Sequence, residues 1–108
     1  MAKKEESGIQ DKIMIALSQN KCRVFRQNVG KFLTQDGRWI SIGIPGMSDL
    51  YGTIEGTGQS FYIETKTPIG KATKEQKNFI KEMAIVGAKT GFARSVEDAI
   101  EIIKGASK

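Results

Sequence analysis

Residues 49–66, DLYGTIEGTGQSFYIETK, decide the fold of this chain, because they hold two short apolar-patterned segments separated by turn residues. The glycines and polar residues of 55–59 are typical of a turn. We therefore predict two strands joined by a hairpin, over 49–54 and 60–67, with Pro68 ending the second strand. Because side chains alternate along a strand, one face of the second strand should carry Phe61, Ile63 and Thr65.

The opposite face of that strand carries ionisable side chains. Glu64 and Lys66 stand two residues apart and should leave the strand on the same side. Asp49 begins the preceding strand, so the hairpin should bring it alongside the pair. The sequence therefore predicts that two carboxylates and one lysine converge.

Two carboxylates and a lysine suit the hydrolysis of a phosphodiester. Mg²⁺ prefers one or two carboxylates, with water and phosphate oxygens in its other positions. We expect Asp49 and Glu64 to hold the metal, with the backbone carbonyl of Thr65 as a further ligand, and Lys66 to orient the attacking water. In the alternative, these residues have only structural roles: Glu64 and Lys66 form an exposed charge pair, and Asp49 caps a turn.

Further elements follow from periodicity and capping signals. The predicted order is αβββαβα, with the Asp36-Gly37 pair marking an additional hairpin turn. Thr73 and Gln76 have the form of a capping box. The remaining predicted elements are a helix over about 7–19, a strand over 22–28, a hairpin over 32–42, a helix over 73–86, a strand over 88–94 and a helix over 95–105.

Composition limits the classes of function. With 108 residues the chain fits one domain, 1–108, and about 1–5 and 106–108 are expected to be flexible. Its 17 Lys and Arg against 12 Asp and Glu give a net charge of +5, which favours a polyanion such as DNA as partner. The absence of histidine excludes Ser-His-Asp and zincin chemistry, and the single cysteine excludes an intrachain disulfide. No apolar run is long enough for a membrane span, so a cytoplasmic protein is expected.

The string GIPGMSDL at 43–50, followed by Glu64-Thr65-Lys66, resembles the PD-(D/E)xK nuclease signature. More narrowly, Gly46-x-x-Asp49, Glu64-x-Lys66 and a helical Gln76 resemble the virus-type replication-repair nuclease (VRR-NUC) family. Ser48 departs from the wider superfamily, which has proline there. The resemblance implies an α/β, restriction-endonuclease-like core of αβββαβ order, with a mixed central sheet and an extra C-terminal helix.

The resemblance also implies roles for two further residues. Gln76 is expected to support catalysis near the lysine or the phosphate, although its capping box alone explains its presence. The first helix of such nucleases supplies another acidic metal ligand, and Glu6 is our candidate, with Glu5 and Asp11 as alternatives. Glu6 equally fits a residue that interacts with the helix dipole.

The implied activity is that of a metal-dependent DNA endonuclease using Mg²⁺ or Mn²⁺. Single-domain members of the family, from phages and bacteria, imply a homodimer that cuts four-way (Holliday) junctions in the cytoplasm of a bacterium or a phage-infected cell. The alternatives are a restriction-type endonuclease of duplex DNA and a non-catalytic basic DNA-binding module. A phosphate-binding rim is expected from Arg26, Lys31, Arg38, Lys71 and Lys74. The hairpin residues expected either at the dimer interface or in the monomer core are Phe32, Leu33, Trp39 and Ile40.

Overall fold

A four-stranded sheet carries residues 49–66 at its centre. It is seen in a computed structural model that describes residues 2–27, 30–42 and 44–105, with side chains described for 8–27, 33–40 and 44–105. The elements are α1 (Ala2–Gln19), β1 (Cys22–Arg26), β2 (Gly30–Leu33), β3 (Trp39–Ile42), β4 (Leu50–Ile54), β5 (Ser60–Thr65), α2 (Lys74–Ile85), β6 (Lys89–Ala93) and α3 (Val96–Lys104).

The sheet is mixed, as predicted. Its strand order is β1-β4-β5-β6, and β4 runs antiparallel to both β1 and β5. Strand β6 lies parallel to β5, with Thr65 beside Ala93, and α2 provides the crossover that a parallel pair requires. When the hairpin formed by β2 and β3 is set aside, the order is αβββαβα.

The β2–β3 hairpin is confirmed and forms a separate two-stranded sheet. Its turn contains Gly37 at φ +87°, a conformation that glycine adopts without strain. Of its apolar side chains, Trp39 is 68% exposed and Leu33 is 60% exposed. The alternative prediction that these two residues pack in the monomer core is therefore wrong.

The core fills one face of the four-stranded sheet. The inward residues of β5, Phe61 and Ile63, are fully buried, in agreement with the predicted alternation. They belong to a cluster with residues of β1, β4, β6 and the two helices α1 and α3: Ile13, Leu17, Cys22, Leu50, Ala93, Ala99 and Ile103. Helix α2 covers the other face without a fully buried residue, and its Phe79 meets Tyr62 edge-on at 5.5 Å between ring centroids.

The helix boundaries follow capping chemistry where the sequence contains it. Thr73 and Gln76 form the predicted capping box of α2, and Ser95 caps α3, which ends at Gly105 with φ +71°. Helix α1, which lacks such a signal, begins at Ala2 rather than near Ser7. Within residues 2–27, 30–42 and 44–105, no helix combines the length and apolar character needed to cross a membrane. Residues 106–108 lie outside the described residues, so the flexible ends stay a prediction.

The loop before β4 is anchored to the start of α2 through Gly46. This residue has φ +81°, and a Cβ atom placed on it would lie 2.6 Å from the carbonyl carbon of Glu75 and closer still to its oxygen. Both the conformation and the close approach require glycine. Gly46 therefore fixes the distance between the loop that leads to Asp49 and the helix that carries Gln76.

We predict that Gly46→Ala destabilises the protein by at least about 2 kcal/mol, because it combines a left-handed backbone with overpacking against a backbone carbonyl. Gly8→Ala is the matched control. Gly8 lies in α1 with nothing within 4 Å of an added Cβ, so the same change there should stabilise by roughly 0.5–1 kcal/mol. Urea denaturation of the two variants tests this. Equal stability of Gly46→Ala and the parent protein would contradict it.

Candidate active site

The predicted pair of carboxylates meets where β4 begins and β5 ends. Leu50 pairs with Ile63, so Asp49, one residue earlier, lies beside Glu64. The backbone N–H of Asp49 donates to Glu64 Oε1 at 3.2 Å. The structure thus brings Asp49 and Glu64 together, as the hairpin predicted.

Thr65 fixes the side chain of Asp49. Its backbone N–H and its hydroxyl both donate to Asp49 Oδ2, at 3.1 and 2.7 Å. The hydroxyl in turn accepts a hydrogen bond from Gln10 Nε2 in α1 at 3.1 Å. Since Thr65 is fully buried, this chain of hydrogen bonds orients Asp49 from the core side of the sheet.

The loop before Asp49 is tied to β4 by a buried serine. Ser48 is fully buried, and its hydroxyl donates to the carbonyl of Leu50 at 2.9 Å. Proline, the residue of the wider superfamily at this place, could not form this bond. With serine in place of proline, the loop before Asp49 is therefore held by a side-chain hydrogen bond to β4.

Gln76 has the two contacts that its two interpretations require. Its Oε1 accepts from the backbone N–H of Thr73 at 3.0 Å, which completes the capping box. Its Nε2 donates to Glu64 Oε2 at 2.8 Å. One side chain thus closes the first turn of α2 and holds the carboxylate in the site, whereas its part in catalysis stays a prediction.

Lys66 completes the group. It follows the last residue of β5, and its backbone N–H continues the ladder by donating to Ala93 O at 3.0 Å. Its Nζ lies 3.9 Å from Glu64 Oε2, and its side chain is only 11% exposed. The pair of Glu64 and Lys66 is therefore buried, and the alternative that they form a solvent-exposed charge pair is wrong.

Burial sets the electrostatics of the site. Glu64 is 2% exposed, and its pKa is raised to about 8. The largest cause is the loss of hydration of the charged form, followed by the negative charge of Asp49. The positive charge of Lys66 lowers the pKa without cancelling these effects.

The donor set fits a hard divalent cation. Within the described part of the chain, no group of three or more His, Cys, Asp or Glu side chains is placed to hold a metal. The site instead offers Asp49 and Glu64, and the described hydrogen bonds of the Asp49 side chain engage Oδ2. Two oxygen ligands and a costly buried negative charge suit Mg²⁺ or Mn²⁺, which keep positions for water and phosphate. The carbonyl of Thr65 as a further ligand stays a prediction.

Of the three candidates for the acidic ligand from the first helix, only Asp11 has a described side chain. Asp11 is exposed and forms an ion pair with Arg26, so its carboxylate is engaged outside the site. The side chains of Glu6 and Glu5 lie outside the described residues. Gln10, which contacts Thr65, comes about one helical turn after Glu6 in the sequence of α1.

The basic rim is spread over three elements. Arg26 pairs with Leu50 across β1 and β4 and binds Asp11, while Arg38 lies in the hairpin and pairs with Asp36 at 3.2 Å. Lys74 begins α2 and Lys71 lies in the segment before it, and both residues are exposed. The side chain of Lys31 lies outside the described residues.

Sequence reasoning missed two residues around the site. Gln10 acts through Thr65 on Asp49, and its only signal was its place one turn after Glu6. Arg94, at the end of β6, donates through Nη1 to the carbonyls of Thr67 and Gly70. No local pattern points to Arg94, because its partners lie 27 and 24 residues away.

Comparison with known proteins identifies the fold. No protein-family model matches the chain, and no curated protein matches it. A solved structure described as a VRR_NUC domain superposes with a TM-score of 0.66 over 95% of this chain and 98% of that chain, at 17% identity. The chain therefore has the fold of that VRR_NUC domain, as the resemblance of its sequence motifs implied. At this identity the likeness shows the fold alone.

The raised pKa of Glu64 predicts a pH-dependent stability in metal-free buffer. Since the folded-state pKa, about 8, exceeds the ordinary value of 4.5, the folded protein keeps a proton that the unfolded chain loses. The associated stability is complete below the ordinary pKa and is lost as the pH rises to about 8. We expect the free energy of unfolding of the parent to fall across this window relative to Glu64→Gln.

Urea denaturation at about pH 4.5, 6.5 and 8.5, with a chelator present, measures this difference. Asp49→Asn is the second variant: removing the neighbouring charge should shift the window to lower pH. Parallel pH profiles for the parent and Glu64→Gln would show that Glu64 does not titrate there.

Proposed function

We propose that this chain is a metal-dependent nuclease that hydrolyses DNA phosphodiesters. The observation that carries the proposal is the convergence of Asp49, Glu64 and Lys66 in one sheltered site, with Glu64 bonded to the backbone of Asp49 at 3.2 Å and 3.9 Å from Lys66 Nζ. A purely structural ion pair would not require a second carboxylate beside a buried one, since that raises the cost of burial.

The proposed reaction is an in-line hydrolysis. The attacking water gives up one proton to solvent as its oxygen forms a bond to phosphorus, the bond from phosphorus to the leaving sugar oxygen breaks, and that oxygen takes up a proton from solvent. Asp49 and Glu64 hold Mg²⁺ or Mn²⁺, with the Thr65 carbonyl and Glu6 as further ligands. When bound, the metal supplies Lewis acidity toward the phosphate and acidifies water.

The remaining residues of the site orient the reacting groups or offset negative charge. The ammonium of Lys66 orients the attacking water and offsets the negative charge that builds on the phosphate oxygens. Gln76 holds Glu64 through the bond of 2.8 Å and so keeps its second oxygen in a fixed direction. Gln10 and Thr65 do the same for Asp49.

DNA is the proposed substrate because of the charge around the site. The net charge of +5 and the exposed Lys71 and Lys74 favour a phosphate backbone. Arg26 and Arg38 pair with acids at exposed positions, where such pairs contribute little and can exchange for phosphate.

The finer proposal is a homodimer that cuts branched DNA such as four-way junctions. A junction is approximately two-fold symmetric and must be cut in two strands, which two sites related by a C2 axis can do. The exposure of Trp39 and Leu33, 68% and 60%, supports the β2–β3 hairpin as the interface.

We predict that Asp49→Asn lowers cleavage at least about 100-fold while the fold and DNA binding persist, because it removes metal charge at nearly constant volume. The amide oxygen that this change leaves can still accept from Thr65. Lys66→Ala should lose a similar part of the turnover yet keep metal affinity, since lysine is not a ligand. The readouts are single-turnover cleavage of labelled DNA and titration calorimetry with Mn²⁺.

The substrate panel for this experiment separates the alternatives. Parent protein is incubated with a four-way junction, a flap, a duplex and a single strand, with Mg²⁺ or with a chelator. Cleavage of intact duplex alone would favour a restriction-type enzyme. DNA binding without any metal-dependent cleavage would leave only a basic binding module.

We predict that the parent protein is a dimer and that Trp39→Glu converts it to a monomer, because a charge buried in an interface without a partner is costly. Light scattering at micromolar concentration measures both states. Ile15→Glu is the matched control: Ile15 is 61% exposed but lies on α1. An intact Trp39→Glu dimer would remove the hairpin interface, and a monomeric parent would remove the dimer itself.

A further inference from the structure

An apolar side chain projects from the turn that follows Lys66. Ile69 is 88% exposed, the largest exposed fraction among the large apolar residues within the described side chains. Exposing a β-branched side chain fully to water has no benefit for the fold of the chain itself. It lies three residues after the lysine of the site, in the turn that follows β5.

Hydrogen bonds hold the backbone of this turn in place. The backbone N–H of Gly70 donates to Thr67 O at 3.1 Å, which closes a turn with Pro68 in its second position. Arg94 Nη1 donates to both Thr67 O and Gly70 O, the latter at 2.7 Å. One guanidinium thus clamps the two ends of the turn.

The clamped turn also packs on the active-site lysine. A Cβ atom placed on Gly70 would lie 3.6 Å from Lys66 Cδ and 3.0 Å from Thr67 Oγ1. The turn therefore borders the stem of the side chain that faces the reacting phosphate in the proposed function. Ile69 is thus carried by a turn that borders the site.

The charge around the turn fits a nucleic acid strand better than a protein. Lys71 and Lys74 follow the turn and are exposed, and the segment 66–77 contains four lysines and one glutamate. The exposed lysines that follow the isoleucine can hold phosphates while the apolar side chain enters the base stack. Proteins that distort DNA insert isoleucine, leucine or proline between base steps in this way.

We propose that Ile69 is a wedge that inserts between bases next to the scissile phosphate, with Arg94 as the residue that positions it. This inference rests on the proposed function and refines its substrate class. Unstacking an intact duplex step costs free energy, and the cost is smaller where stacking is already interrupted. The wedge thus favours DNA with a broken base stack, such as a branch point, over continuous duplex.

The test uses a synthetic four-way junction with 2-aminopurine beside the cut position mapped for the parent protein. In metal-free buffer, binding of the parent should raise the 2-aminopurine fluorescence about threefold or more, since the base loses its stacking partner. Ile69→Ser should remove the rise and slow single-turnover cleavage about tenfold, with DNA affinity changed less than about threefold. Ile69→Leu, which keeps an apolar wedge, should behave as the parent.

Ile85→Ser is the matched control, because Ile85 is 68% exposed but lies at the far end of α2. It should match the parent in both assays, and thermal melting should show that all three variants fold. Parent-like fluorescence and cleavage in Ile69→Ser would overturn the wedge alone. Loss of the dimer in Ile69→Ser would also overturn it and assign the turn to a protein interface. A parent without metal-dependent cleavage would overturn the proposed nuclease and the wedge together.

Discussion

The burial of the Glu64 carboxylate is the constraint on which the rest of the site depends. A carboxylate that is 2% exposed is tolerated only if its oxygens are bonded, and the chain meets this need from two directions. The backbone of Asp49 reaches it from the start of β4, and Gln76 reaches it from α2. The antiparallel register of β4 and β5 and the position of α2 must therefore both be correct for Glu64 to be buried at all.

The position of α2 is in turn fixed by contacts that also build the site. Gly46 lets the loop before Asp49 approach the backbone of Glu75, and Gln76 shares its amide between the cap of Thr73 and Glu64. On the core side, Gln10 and Thr65 hold Asp49 from α1. The two carboxylates are thus oriented from opposite faces of the sheet, and neither helix can move without disturbing one of them.

Local patterns predicted the parts of this structure that local physics determines. The alternation of Phe61 and Ile63, the Asp-Gly turn at Gly37 and the capping box at Thr73 act within a few residues, so the sequence displays them directly. The contacts from Gln10 to Thr65 and from Arg94 to Thr67 join residues 55 and 27 positions apart, which no local pattern reveals. The sequence could not decide whether Trp39 is buried, for the same reason. Whether a hairpin packs on the core depends on the tertiary structure around it.

The arrangement couples the stability of the domain to what it binds. The fully buried apolar residues lie against α1 and α3, whereas α2 covers its face of the sheet without a fully buried side chain. On that face the closest contacts of α2 include a hydrogen bond to a carboxylate whose ionised form is unfavourable there. A cation between Asp49 and Glu64 would make the ionised form favourable, and a ligand that binds only the folded state stabilises it by mass action. The packing of α2, and with it the turn that carries Ile69, should therefore be firmest when the site is loaded, because the contact that holds the helix is the one that the cation strengthens.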